Sequence, residues 1–272
     1  MRARSLLAWA AAALVLSLGT EDPVYRLLVL GAAILVFLAR RRAEASVGRV
    51  LVWVAGAAAL AVAFNFALSH TGQTVLLNLP GGIPAVGGPL TLEGLVFGAD
   101  IAVGLAAALM AAAVLGQGLE TQELLEALPA WLHRTAAALG AALTLLPRLG
   151  SAFLTVREAQ AMRGWRSRGP RSWRAVAVPA LLTAMEGSVQ LAEAMEARGF
   201  GSGRRTKVWT PAASVADWAT LFASALAVGI TVAALALGGQ GGWQPYPALQ
   251  LPEVSWPPVL AAALLLGPAL WR

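Results

Sequence analysis

Glu158-Ala159-Gln160-Ala161-Met162-Arg163-Gly164-Trp165 and Glu193-Ala194-Met195-Glu196-Ala197-Arg198-Gly199-Phe200 are two copies of one phrase. Each reads Glu-Ala, three residues, Arg-Gly, then an aromatic. Both lie within Arg157–Lys207, a stretch that holds ten of the 20 Lys and Arg residues of a 272-residue chain that is 58% hydrophobic. So dense a block of positive charge inside an apolar chain reads as a cytoplasmic platform between membrane spans, because cytoplasmic segments carry the Lys and Arg excess.

The composition supports that reading. Charged residues make up 12% of the chain, against about 25% in ordinary soluble domains. Several long runs carry no charge at all, which predicts a polytopic helical membrane protein. Cysteine is absent, removing disulfides, thiol chemistry and cysteine metal sites. The net charge of +6 is mostly arginine, with Lys207 the single lysine. In such a chain the surplus points to cytoplasmic loops and not to nucleic acid. Arg2 and Arg4 precede an apolar run, but that run stops at Gly19-Thr20-Glu21-Asp22 and a second span follows directly. It is therefore expected to be a first helix and not a cleaved leader.

The fold class expected is an all-α integral membrane protein with about six transmembrane helices, plus long amphipathic cytoplasmic helices between the fourth and fifth spans. The spans are Leu6–Leu18, Val24–Ala39, Val50–Ser69, Leu92–Gln117, Thr210–Leu237 and Trp256–Leu270. The first is short, about 14 residues where roughly 20 is usual. The second stops at Arg40-Arg41-Arg42, and the fifth is entered through Pro211. His70–Pro89 and Gly238–Ser255 read as external loops rich in Gly and Pro. Three regions follow: residues 1–118 with four spans, 119–209 with the cytoplasmic helices, and 210–272 with two spans. Six spans place both termini and the basic stretch in the cytoplasm, together with the arginines at 2, 4, 40, 41, 42, 49 and 272. Arg26, near the outer end of its span, is the exception. A cell-membrane location follows.

Between the fourth and fifth spans, Glu120–Arg134 reads as an amphipathic helix with Leu124, Leu125, Leu128, Trp131 and Leu132 on one face. Ala136–Leu154 is apolar but expected to break at Pro147-Arg148. Ala175–Arg198 is striped, with Val178, Leu181, Leu182, Met185 and Val189 on one face and Glu186, Glu193 and Glu196 elsewhere. Each charge at a bilayer centre costs about 2.5–3.5 kcal/mol on insertion scales. This helix is therefore expected on or below the membrane surface.

Gly164 and Gly199 each follow a run of helix formers, so each is expected just past a helix end in left-handed backbone. Arg163 and Arg198 then sit in the last turn. One such arginine is accounted for by the helix dipole, about 0.3–1 kcal/mol. A matched pair argues for two helix ends that each present a guanidinium to a partner's carboxylate, with Trp165 and Phe200 as apolar anchors. Among acids at membrane depth, which are functional candidates by default, Asp100 is the deepest, buried against another helix or a partner subunit. Asp217 and Glu93 are expected to be solvated at the two interfaces.

The cytoplasmic half resembles the transmembrane (T) component of energy-coupling factor transporters, the family that includes the cobalt-transport permease. Arg157-Glu158-Ala159-Gln160-Ala161-Met162-Arg163-Gly164 and Ala194-Met195-Glu196-Ala197-Arg198-Gly199-Phe200 carry the likeness. Gly88-Pro89-Leu90-Thr91-Leu92-Glu93-Gly94-Leu95 and Glu123-Leu124-Leu125-Glu126-Ala127-Leu128 add to it. The resemblance implies a coupling subunit of an importer for vitamins or metal ions. Its partners would be two ABC-type ATPases, identical or different, and a small substrate-binding membrane subunit, all in the lipid bilayer. ATPase docking would fall on Arg163, Arg198, Gly164, Gly199, Ala161, Ala197, Glu158, Glu193, Trp165 and Phe200, with the two glutamates holding the helices. The first motif departs from the pattern: Met162 stands where the second has Ala197.

No P-loop is present, and Lys207 lies in Arg-Thr-Lys-Val, so ATP would be bound by another chain. No Gly-x-Ser-x-Gly nucleophile elbow occurs. His70 and His133 fall on opposite sides of the predicted topology, so no metal site, cofactor or enzymatic role is expected. The alternatives are a conventional ABC importer permease, a membrane enzyme acting on lipid or isoprenoid, and a channel. The first has a partial likeness in Glu158-Ala159 and Gly164. The second lacks clustered acids or histidines, and the third rests on Asp100 alone.

Overall fold

A computed structural model describes residues 3–40, 47–78, 88–119, 123, 132–166, 169–200, 213–237, 243, 245–246, 249, 252 and 255–270. The expected helix at Glu120–Arg134 falls almost wholly outside them, as do Gly201–Arg205 and most of Gly238–Ser255. Two compact units form, one from residues 1–123 and 213–272, the other from residues 124–212.

The first unit contains α1 (Ala3–Gly19), α2 (Pro23–Arg40), α3 (Val47–Leu68), α4 (Leu92–Gly118), α7 (Val215–Ala236), α8 (Trp256–Leu264) and α9 (Gly267–Leu270). The second contains α5 (His133–Met162) and α6 (Arg174–Ala197). Six of these helices are long and apolar enough to cross a membrane: α2, α3, α4, most of α5, α6 and α7. The chain is a multi-pass helical membrane protein. The expected spans at either end of the sequence are the shorter apolar helices. By length and composition α5 and α6 take their places in the six, because each contains a long apolar stretch with few charges.

α4 is the centre of the first unit and packs against α1, α2 and α3. Its small residues permit close approach, as helices in an apolar solvent require. A Cβ at Gly94 would meet Ser69 at 3.2 Å, and one at Gly98 would meet Asn65 Cβ at 3.0 Å and the Val62 carbonyl at 3.2 Å, so α3 rides on this pair. On another side, Gly104 leaves room for Arg26, whose Cδ and Nε lie 3.3 Å from where its Cβ would be. The core gathers Leu6, Trp9 and Leu16 of α1, Val29, Val36 and Phe37 of α2, Met110 and Val114 of α4, and Leu265 beyond α8. α7 turns a stripe of small and hydroxyl residues inward: Asp217, Thr220, Ser224, Ala227, Thr231 and Ala234. Thr220 and Thr231 satisfy their hydroxyls on the carbonyls of Ala216 and Ala227 at 2.8 and 2.9 Å.

Buried polar groups hold this unit together. Arg26 forms an ion pair with Asp100 and donates from Nε to the Thr20 carbonyl at 2.9 Å. That explains the arginine on the wrong side of the charge pattern: it faces the bundle, not water or lipid. Asp100 is therefore covered by another helix of its own chain. Asp22 caps α2, accepting from the Val24 amide at 2.9 Å, with Pro23 at the first helical position, where a missing N–H costs nothing. Burial raises the Asp22 carboxyl above its usual range, against the opposing pull of the Val24 amide.

Several expectations are corrected here. Asp217 and Glu93 are not solvated; they are 4% and 1% exposed. Asp217 accepts from Ser5 Oγ at 3.0 Å and closes a capping box with Ser214 that starts α7 at Val215, not at Thr210. Glu93 accepts from the Thr74 and Gln73 amides at 3.1 and 3.3 Å. It thereby secures a segment expected to be plain loop, where β1 (Val75–Asn78) pairs antiparallel with β2 (Pro89–Thr91). The last span is two helices, because Pro268 has no N–H to carry the ladder past Leu265. The Leu265 carbonyl instead accepts the Trp9 indole N–H at 2.8 Å. The first span is longer than expected, 17 residues, or about 26 Å at 1.5 Å per residue, which nearly matches a bilayer core.

Replacing Arg26 with Leu strands the Asp100 carboxylate and is expected to cost about 3–5 kcal/mol, read as a lower melting temperature of the detergent-solubilised protein. The double variant Arg26→Leu/Asp100→Leu removes both charges and is expected to recover most of that loss.

Candidate functional site: two arginine-capped helix ends

α5 runs 30 residues without interruption and keeps Pro147 inside it, against the expected break. One hydrogen bond is lost there, and the Ala- and Leu-rich flanks propagate the helix across the gap. The first phrase is therefore the carboxyl end of one long helix. The second is the carboxyl end of the 24-residue α6.

Both helices stop in the same way. Arg163 and Arg198 are the cap residues, with φ/ψ of −83°/10° and −85°/6°, one position beyond the last turn expected for them. Gly164 and Gly199 follow at φ 84° and 75°, the left-handed backbone that a residue without a side chain adopts most cheaply. The Trp165 amide donates to the Gln160 carbonyl at 2.9 Å and the Gly164 amide to Ala161 at 3.0 Å. At the other end the Phe200 amide donates to Met195 at 2.9 Å and the Gly199 amide to Glu196 at 2.8 Å. These paired six-to-one and five-to-two bonds form a Schellman motif, which consumes carbonyls that the helix leaves unpaired. The chain turns away at a fixed angle and the arginine is left at the rim.

Arg163, Arg198, Ala161, Ala197, Glu158 and Glu193 are all exposed. Neither arginine and neither glutamate makes a side-chain hydrogen bond or ion pair among the described residues. The glutamates therefore do not hold the helices through such bonds within this chain. Met162 is 85% exposed, so the residue that departs from the pattern is on the surface too. The two aromatics differ. Trp165 is partly covered and donates its indole N–H to the Ser172 carbonyl at 2.9 Å, whereas Phe200 is 60% exposed.

The connection between the helices was not legible in advance. A 3-10 turn at Pro170–Trp173 leads into α6, and Trp173 stacks on Phe153 of α5 at 5.6 Å with the rings 13° apart. This stack and the Trp165–Ser172 bond hold the start of α6 beside the first arginine end. α6 then carries the chain about 36 Å, at 1.5 Å per residue, before the second end. The two arginines are thus not brought together; they are set apart by the length of a helix. Among the described residues no group of three or more His, Asp or Glu gathers in a way that could hold a metal.

A Cβ at Gly164 would touch nothing within 4 Å, so Gly164→Ala carries only the left-handed backbone cost, about 1–2 kcal/mol. Gly164→Ala is expected to fray the last turn of α5 without unfolding the helix, read as faster amide exchange confined to residues 160–165.

No curated protein matches the chain. A family model described as cobalt transport protein, CbiQ, matches residues 1–208. The match takes in α1 to α6 with both arginine ends, and reaches well before the stretch from Gly88 on which the resemblance was first drawn. Covering so much of the 272 residues, it makes this chain a member of the cobalt transport protein family, a family of membrane transport proteins.

Proposed function

We propose that the chain is the transmembrane coupling subunit of an energy-coupling-factor importer for metal ions or vitamins. It would sit in the cell membrane with both termini cytoplasmic and pass the motion of two ABC-type ATPase subunits to a separate, small substrate-binding membrane subunit. The observation that carries this reading is the pair of matching helix ends. Each places an exposed arginine, without a side-chain partner among the described residues, at a rigid cap, and the two are separated by about a helix length. A planar guanidinium held this way suits bidentate capture of a carboxylate. Two such ends fit two sockets on a pair of related subunits.

The family match supports a transport role, and its description names cobalt. The cytoplasmic placement of α5 and α6 is supported by their charges. Glu186, Glu193 and Glu196 are exposed on α6, and at about 2.5–3.5 kcal/mol each they outweigh its apolar stripe at a bilayer centre. In this reading Arg163 and Arg198 make the contact, and Gly164 and Gly199 set its direction. Ala161 and Ala197 allow close approach, Phe200 is an apolar anchor, and Glu158 and Glu193 flank the docking face. Trp165 belongs to the scaffold of the first end.

Replacing either arginine with alanine is expected to weaken ATPase binding by about thirtyfold, from the roughly 2 kcal/mol lost with one charge-assisted pair. Membrane insertion should be unchanged. The Arg163→Ala/Arg198→Ala double variant is expected to abolish coupled uptake in membrane vesicles loaded with ATP. Normal uptake by that variant removes the assignment.

A further inference from the structure

The two ends share a backbone geometry but not an electrostatic field. Residues 148–174 hold seven arginines and one glutamate, whereas residues 186–207 hold four basic and three acidic residues. Around the first end, Arg157, Arg163, Arg166 and Arg174 are all exposed, and Glu158 is the single acid of that stretch of sequence. The fold gathers these charges in one place. Arg157 lies one turn beyond Phe153, Arg174 follows Trp173, and the Phe153–Trp173 stack and the Trp165–Ser172 bond close the connection between them. The approach to the second end is of the opposite sign. Glu186, Glu193 and Glu196 are exposed along α6 ahead of Arg198.

Like-sign clusters raise local potential and speed encounter with an opposite surface by roughly 10- to 1,000-fold, an advantage that salt removes. A mixed-sign surface gains little. We propose that the first helix end, and not the second, is the electrostatic capture site of this chain, and that it takes an acidic surface on one ATPase subunit. This rests on the docking reading above. The first end sets the rate of encounter over a distance of about a Debye length, near 10 Å at 0.1 M salt. The second end seats afterward through short-range contact of Arg198 and Phe200. The glutamates of α6 disfavour the reverse order, since they repel the same acidic surface.

The test uses the full-length chain in nanodiscs of uncharged phosphatidylcholine and the ATPase subunits that co-purify with it, with association followed in real time at 50 and 500 mM salt. Arg157→Gln/Arg166→Gln/Arg174→Gln, which spares Arg163, is expected to slow association at least tenfold at 50 mM salt and to flatten its salt dependence. The corresponding triple lysine variant keeps the charge and is expected to stay within twofold of the unaltered chain. Glu186→Gln/Glu196→Gln is expected to change the rate less than twofold. The proposal is overturned if the glutamine variant associates within twofold of the unaltered chain, or if the lysine variant is as slow as the glutamine one. It is also overturned if the arginines prove to govern only binding to vesicles containing phosphatidylglycerol. Failure of the docking reading looks different: the Arg163→Ala/Arg198→Ala chain would hold the ATPases as tightly as the unaltered one, or no ATPase would co-purify at all.

Discussion

A polar group surrounded by apolar helices has no water to fall back on, and that constraint orders the first unit of this protein. Arg26 has Asp100 and the Thr20 carbonyl. Asp217 has Ser5 and Ser214. Glu93 has two backbone amides, and the carbonyl released at the Pro268 break has the Trp9 indole. An unpaired charge in such surroundings costs several kcal/mol. The pairings consequently decide which helices are neighbours: α2 with α4, α1 with α7, and α1 with the segment after α8.

The second unit follows the opposite rule. Its helix ends satisfy their backbone through the Schellman bonds and leave their side chains open. Arg163 and Arg198 stand where rotation of the helix end is fixed but the guanidinium is unspent. A surface of this kind is stable in water and gains energy only when a partner supplies the missing carboxylate. The contrast between a membrane bundle that pairs its buried charges internally and a pair of exposed arginine tips fits the coupling role proposed above.

How much of this was legible in the sequence depended on whether the cause was local. Gly164 and Gly199 could be placed at helix ends because the residues before them favour helix and glycine alone tolerates the turn that follows. Membrane helices were legible from uncharged runs, and Asp22-Pro23 marks a helix start by itself. Arg26 and Asp100 were each visible as anomalies, but nothing in a chain read one charge at a time says that residues 74 positions apart meet. The uninterrupted path through Pro147 and the break at Pro268 show the same limit from the other side. Both prolines remove one hydrogen bond; the surroundings decide whether the helix survives it. The unequal roles of Trp165 and Phe200 were hidden because Ser172 reaches Trp165 only after the chain has turned.

The bond from Trp9 to the Leu265 carbonyl joins residues 256 positions apart, and this separation bears on biosynthesis. The first helix leaves the ribosome with its indole and its small-residue face uncovered. The carbonyl that takes the indole is made 256 residues later. Until Leu265 emerges, α1 is held in the bilayer by hydrophobicity and by its packing against α2, α4 and α7. Closure of this seam thus waits for the residues around Leu265, and a nascent chain arrested before them would remain open between α1 and the segment after α8.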